Sequence, residues 1–497
     1  MVDLYLDLSL DYFNRIKMKV LLIAPPIREN LFSGLDDGMP KKVAKEFGIY
    51  PHLGICYIAA VLRKNNIEVE IIDIEAERLS KSQVITKVRE IDPDIIGITS
   101  MTFTFLYALD LAKEIKLNLS VPIVFGGNHV SIYPKEAISH DSIDIVVIGE
   151  GENTFLEIVQ MLGDKKLDDS YDEMKKIKGI AFKNKSDIFL TEPREFISNL
   201  DEIPPPAVDR LKIGNYYGCN LPIPFLTMIT ARGCPYNCFF CSRAPWGRTF
   251  QYHSAKRVVD EIEYLVNELG IKAIEFFDDT FVFNQDRIKE MSELIKEKRI
   301  HFEFGITTRV NNINTEILRE LKTMGCKTIA FGVESGDPGI LNKLDKRITV
   351  GLIKDAFRWS KEAGINTVGF FMVGNPTETK DEIKNTIDLI KEIDADYFIA
   401  NILMPYPGSR LYSDMLTNGR LREDYWRRVT LEGKASPTPL ANDTIPRKKL
   451  IQIRNRINRM PYLRLKSNLF KFKKVKLLPD IKRALITLIT SYFDNDL

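Results

Sequence analysis

At 497 residues the chain exceeds what one hydrophobic core usually organises, so two or three folded units are expected. Hydrophobic residues at 44% and charged residues at 28% exclude wholesale disorder; the lack of a long apolar run excludes a membrane-spanning helix, and no export signal stands near residue 1, so a cytoplasmic location is expected. A net charge of +2 excludes a strongly polyelectrolyte chain, although its distribution is uneven.

Residues 1–17 carry little pattern and read as an extension. From Met18, apolar runs at 19–24, 69–74, 95–99, 123–125 and 145–148 alternate with helical periodicity at 53–64 and 106–117. Buried-strand runs separated by helices predict a doubly wound, Rossmann-like parallel sheet over 18–165. Residues 166–220 are charged and broken by three consecutive prolines at 204–206, which suits a linker. A second alternating series over 221–430 places strands at 226–230, 273–277, 302–307, 328–332, 368–373 and 397–403, with helices such as 254–269 and 287–298 between them. Six such units predict a partial (β/α)6 TIM-type barrel, with its chemistry at the carboxyl ends of the strands. Residues 431–497 read as a basic helical region, so the expected class is α/β with a helical carboxyl-terminal tail.

Six cysteines are too few for a disulfide framework in so long a chain, and three of them, Cys234, Cys238 and Cys241, stand in one C-x3-C-x2-C segment directly after a predicted strand. Three thiolates on one tight loop suit three irons of a 4Fe-4S cubane and leave the fourth iron open to another ligand. The alternatives are zinc, which wants a fourth ligand that nearby spacing does not offer, and cysteines that are merely buried small hydrophobes.

This triplet, with the aromatic Phe240 before its last cysteine, resembles the defining motif of the radical S-adenosylmethionine (SAM) superfamily. The resemblance implies that the amino and carboxylate groups of SAM chelate the open iron, and that an electron from the cluster releases a 5′-deoxyadenosyl radical. It also implies roles for residues at later strand ends. Asp278 or Asp279 would hold the SAM amino group, with a strand-end cap as the alternative. Arg309 would neutralise its carboxylate, unless it makes an ordinary salt bridge. Glu334 and Ser335 suit ribose hydroxyls, with a structural turn as the alternative, and Gly374 within the 369–378 motif supplies backbone near adenine. The 405–410 motif completes the series.

Residues 18–160 resemble the cobalamin-binding domain that precedes the barrel in one large class of these enzymes. Motifs at 51–54, 100–102, 126–129 and 149–152 carry the likeness. Ser100, Thr102, Gly126 and Gly127 are the implied cobalamin contacts, because glycine permits close backbone approach in a sheet crevice. The lower-ligand histidine of many cobalamin proteins is missing from the loop after the first strand, which reads Pro25-Pro-Ile-Arg-Glu29. His129 reads as a loop residue and His52 as a helix-start residue. Among the other cysteines, Cys56 and Cys326 read as core, whereas Cys219 could approach the site. Residues 1–200 offer Cys56 alone, against the three cysteines that a methylthiotransferase needs there.

Residues 446–497 carry fourteen Lys or Arg against three Asp, mixed with apolar residues such as Leu463, Leu469, Phe470 and Leu477. Such a tail could lie on an anionic membrane surface, at the inner face, or pack as a solvated helix. The expected activity is cobalamin-dependent C-methylation of an unactivated carbon in a hydrophobic or lipid small molecule, with ferredoxin or flavodoxin as reductant. The rivals are a ring-forming cyclase of the same superfamily and a non-catalytic cobalamin or iron-sulfur sensor. No nucleic-acid module is recognisable.

Overall fold

The computed structural model describes residues 18–27, 48–164, 166–218 and 221–471, with side chains as far as Met460 and without those of Asp164 and Asp168. The 1–17 extension, Arg28 and Glu29 of the first loop, Cys219, Leu477 and the side chains of Leu463, Leu469 and Phe470 lie outside that description.

The amino-terminal unit is built on β1 (Lys19–Ala24), β2 (Glu68–Asp73), β3 (Ile95–Thr99), β4 (Ile123–Gly126) and β5 (Ile145–Val147), followed by a hairpin of β6 (Ile180–Asn184) and β7 (Asp187–Leu190). The sheet order is β2-β1-β3-β4-β5-β6-β7. The first five strands run parallel and the hairpin is antiparallel. The stretch read as a linker therefore extends the sheet: Ile180, Ala181 and Phe182 are wholly buried, and only the chain beyond the hairpin crosses to the second unit. Strand order reverses direction beside β1, so a crevice opens at the carboxyl ends of β1 and β3, the usual ligand position in open α/β sheets.

The second unit is a six-stranded sheet of β8 (Phe225–Met228), β11 (Ala273–Phe276), β12 (Glu303–Thr308), β13 (Cys326–Glu334), β14 (Asn366–Val373) and β15 (Tyr397–Ile402), every neighbouring pair parallel. Between β8 and β11 the chain adds a small antiparallel ribbon of β9 (Ala231–Arg232) and β10 (Gln251–Tyr252). The sheet does not close on itself, which makes it the open, partial form of the barrel.

Helix α1 (Leu53–Lys64) shows how the two units are joined. Eight of its twelve residues are buried, more than a one-sided amphipathic helix hides. Leu53, Tyr57 and Val61 belong to the barrel core, whereas Ile55, Cys56, Ala59, Ala60 and Leu62 belong to the core under the amino-terminal sheet. A helix apolar on both sides is thus shared between two cores. The opposite face of that sheet is covered by α2 (Phe105–Asn118) and by α3 (Tyr425–Glu432), whose Tyr425, Trp426 and Val429 pack into it. Beyond α3, α4 (Arg447–Lys471) lies along the edge strand β15, where Asn458 accepts from the backbone N–H of Ala400 at 2.7 Å and donates to its carbonyl at 3.0 Å. Its described part is therefore a wall of the barrel rather than a detached tail.

Candidate active site

The cysteine loop is closed at its base by the β9–β10 ribbon. Gly233 has a φ of +79°, and a Cβ there would stand 2.1 Å from the carbonyl oxygen of Thr249, so only glycine fits the turn. Asp278 anchors the same strand end. Its carboxylate accepts from the backbone of Thr230 at 2.6 Å and of Ala231 at 3.1 Å and from the Thr230 hydroxyl at 2.5 Å. The far side of the loop is pinned by the 405–410 motif: Ser242 donates to the carbonyl of Pro407 at 2.7 Å, and Arg410 bonds the carbonyl of Asn237 and the carboxylate of Asp345, both at 2.9 Å.

The environment of Cys238 suits anionic sulfur. Arg309 Nη1 stands 3.2 Å from Cys238 Sγ, with its guanidinium 3.9 Å from the centre of the Tyr236 ring. A hydrogen bond from Cys241, joined by the positive charges of Lys346 and Arg309, pushes the Cys238 thiol down to about 6. Burial pushes Cys234 up. A structural zinc wants four ligands, whereas the three soft sulfur donors on this one loop, flanked by the cations Arg309 and Lys346, fit a cubane cluster.

Of the residues expected in the cysteine motif and around SAM, Phe240 and Glu334 border one cavity. A space of about 420 Å³ is lined by Phe240 and Glu334 together with Phe103, Phe370, Met372, Leu403 and Tyr406. Glu334 ends β13 at a register shift, with a φ of +68°, and pairs with Lys346 at 2.6 Å. A non-glycine residue in that region is strained, and such strain concentrates at ligand sites. Asp279 is exposed, in contrast to Asp278, whose oxygens hold the chain leading into the cysteine loop.

Three expectations meet committed partners instead. Ser335 is fully buried, 3.1 Å from the Thr386 hydroxyl, and accepts from the N–H of Asp337, so it serves a structural turn. Arg309 spends its donors on Cys238, Asn311 and the carbonyl of Lys346 rather than facing a carboxylate. The N–H of Gly374 is taken at 2.6 Å by Glu378, whose carboxyl burial pushes up to about 7.

On the amino-terminal side, Ser100, Gly126 and Gly127 come together where β3 and β4 end. Ser100 donates its N–H to the carbonyl of Gly126 at 2.7 Å, and Gly127 has a φ of +105° with room for no side chain, since a Cβ would meet the Ser100 carbonyl at 2.5 Å. The Ser100 hydroxyl is wholly buried and has no hydrogen-bond partner among the described residues, an orphan that fits an incoming polar ligand such as the cobalamin tail. Thr102 lies 3.3 Å from His129 Nδ1, and His129 Nε2 bonds Thr430 of α3 at 2.9 Å. Burial lowers His129 to about 3, so it is a neutral tie between the units.

Sequence reasoning missed the strongest tie. Arg232, two residues before Cys234, binds Glu150 at 2.6 Å and Glu152 at 2.5 Å, with all three side chains at most 7% exposed. The 149–152 motif thus grips the strand that carries the cysteine loop. Nothing in either segment alone signals it, because the partners are about eighty residues apart.

An open barrel with a three-cysteine loop at its mouth, fronted by a doubly wound sheet, defines a radical SAM enzyme with a cobalamin domain. The family models agree: Radical SAM superfamily matches residues 228–390 and B12 binding domain residues 42–159. The chain is 37% identical over 416 residues to an uncharacterized methyltransferase of Pyrococcus horikoshii, covering 83% of this chain and 86% of that one. It is 28% identical to the anaerobic magnesium-protoporphyrin IX monomethyl ester cyclase of Cereibacter sphaeroides, over 74% of this chain and 61% of that one. The fold matches that of the radical SAM methyltransferase TsrM from Kitasatospora setae, solved with cobalamin and a 4Fe-4S cluster, with TM-score 0.62 at 18% identity over 81% of this chain and 75% of that one. The chain belongs to the radical SAM superfamily, in the class with a B12-binding domain, and its cofactors are a 4Fe-4S cluster, SAM and cobalamin.

Proposed function

We propose that this protein methylates an unactivated carbon of a hydrophobic small molecule. The observation that carries the reading is the single cavity bordered at once by Phe240 of the cysteine loop and by Phe103, three residues beyond Ser100 on the cobalamin side. When bound, the cluster and SAM supply a 5′-deoxyadenosyl radical, and cobalamin supplies a transferable methyl group. The protein's own residues do the rest. Cys234, Cys238 and Cys241 hold the cluster, and Arg309 and Lys346 keep its sulfur environment electropositive. Asp279 would take the SAM ammonium, Phe240 would border the SAM seat, and Glu334 would receive ribose hydroxyls. Ser100, Gly126 and Gly127 seat the cobalamin tail. The aromatic and aliphatic lining excludes water from the space where a carbon radical forms and favours an apolar substrate. A one-electron donor of the ferredoxin or flavodoxin class supplies the reductant.

The match to a methyltransferase over most of both chains supports methylation over the ring-forming activity named for the cyclase relative. The membrane-surface reading of the tail concerns side chains outside the described residues; among those described, no helix is long and apolar enough to cross a membrane. The test uses anaerobically reconstituted protein, cobalamin and SAM with a trideuterated methyl group, incubated with a lipid extract. A product in which a trideuteromethyl group has replaced one hydrogen is expected. A product lighter by two hydrogens would establish cyclisation or oxidation instead, and release of no 5′-deoxyadenosine at all would leave only the cofactor-sensor reading.

A further inference from the structure

The same cavity has a second wall whose chemistry the methylation reading does not use. Its lining includes Arg447 and Arg454, the first and eighth residues of α4. Seven residues are close to two helical turns, so the two guanidinium-bearing positions share one face, about 10 Å apart along the axis. Leu450 and Ile457 on the adjoining stripe are fully buried, and Asn458 is clamped to Ala400, which fixes the rotation of the helix. Arg454 is itself only 7% exposed.

Cations outnumber carboxylates in this lining. The one acidic side chain in the lining, Glu334, is already paired with Lys346 at 2.6 Å. Arg447 donates to the carbonyl of Thr438 and has no carboxylate within 4 Å among the described residues. The start of α4 also departs from helix electrostatics. Arg447, Lys448 and Lys449 occupy its first turn with no acidic residue there, so three cations crowd the positive end of the helix dipole. Local rules broken in this way are usual where an anionic ligand supplies the missing charge.

Building on the methyl-transfer reading, we propose that Arg447 and Arg454 form an anion subsite, so that the substrate is an amphiphile whose apolar body fills the cavity and whose phosphate or carboxylate is held by these two guanidiniums. The planar forks of arginine suit either oxyanion, and partial burial strengthens the pairing. The anchored head fixes which carbon of the body faces Phe240 and the cysteine loop. The basic character of this part of the chain then serves recognition inside the barrel.

The test is calorimetric titration of the reconstituted holoenzyme, loaded with SAM, with octyl phosphate, octanoate, octanol and octyltrimethylammonium. Saturable binding of octyl phosphate or octanoate is expected, the tighter of the two naming the head group, with none for the alcohol or the cation. R447Q and R454Q should each weaken binding at least tenfold, with R447K and R454K recovering part of it, while SAM affinity stays within twofold of the wild type. Equal binding of the cation, no anion binding by the wild type, or unchanged anion binding in both glutamine variants overturns the proposal. So does a parallel loss of SAM affinity, which would assign the arginines to SAM itself. The same preparations are assayed for 5′-deoxyadenosine: anion binding without SAM cleavage refutes the methyl-transfer reading and spares the subsite, and the reverse result does the opposite.

Discussion

Single side chains set both the reactivity and the pH behaviour of this barrel. Glu275 lies within β11 beside Gly305, where a Cβ would meet its carboxylate at 2.4 Å, and burial pushes its carboxyl up to about 7. A carboxyl raised in the fold binds its proton more tightly there than in the unfolded chain, so it favours the fold at low pH and loses that contribution as pH rises through about 7. Glu275→Gln should therefore melt close to the wild type at pH 5 and several degrees higher at pH 8. Melting temperatures across that range check it, and a constant difference would refute the assignment. Near the cofactors, Gly127→Ala places a methyl group against the Ser100 carbonyl in a left-handed conformation. The strain should cost about 1–3 kcal/mol, and because it falls on the ledge beside the orphan Ser100 hydroxyl, it should weaken cobalamin retention at least tenfold, read from the visible spectrum after desalting.

Between elements, the buried Arg232–Glu150–Glu152 group is the joint with the most at stake. Removing one partner of a buried ion group leaves uncompensated charge and costs about 3–5 kcal/mol, whereas replacing all partners with neutral residues costs much less. Arg232→Met should lower unfolding stability by that amount and also slow SAM cleavage, because the strand it sits on carries Gly233 and Cys234. The combined R232M/E150Q/E152Q chain should recover most of the stability. Denaturant titration of the two variants decides it; equal losses would mean the charges are not coupled. This joint also marks the limit of what the chain reveals before its structure is known. The triplet, the strand series and the glycines at 126 and 127 are readable because each is a local pattern. The pairing of Arg232 with two carboxylates, the commitment of Asp278 to backbone N–H groups and the service of Ser335 to Thr386 are not, since each depends on which distant segment arrives opposite. The β6–β7 hairpin is hidden for another reason: its second strand lies at the sheet edge and is mostly exposed, so the stretch resembles a connector.

For the molecule as a whole, α1 makes the two units interdependent. Its Leu53, Tyr57 and Val61 complete the barrel core while its other face completes the sheet domain, and α3 returns from the barrel to cover the far side of the sheet. Residues 221–460 expressed without the amino-terminal unit should be insoluble or bind hydrophobic dye, and the intact chain should unfold in one calorimetric transition rather than two. Such a shared core suits the chemistry, since a methyl donor on one unit and a radical source on the other must face one cavity at fixed distance.

The central claim is that three sulfur ligands leave one iron of a cubane open for SAM, and the most direct measurement is the yield of 5′-deoxyadenosine from anoxically reconstituted protein with SAM and dithionite. The account predicts steady formation by the wild type and none above background for chains in which Cys234, Cys238 or Cys241 is alanine. Undiminished yield from those variants, or no product from wild-type protein carrying a full complement of iron and sulfide, would contradict it.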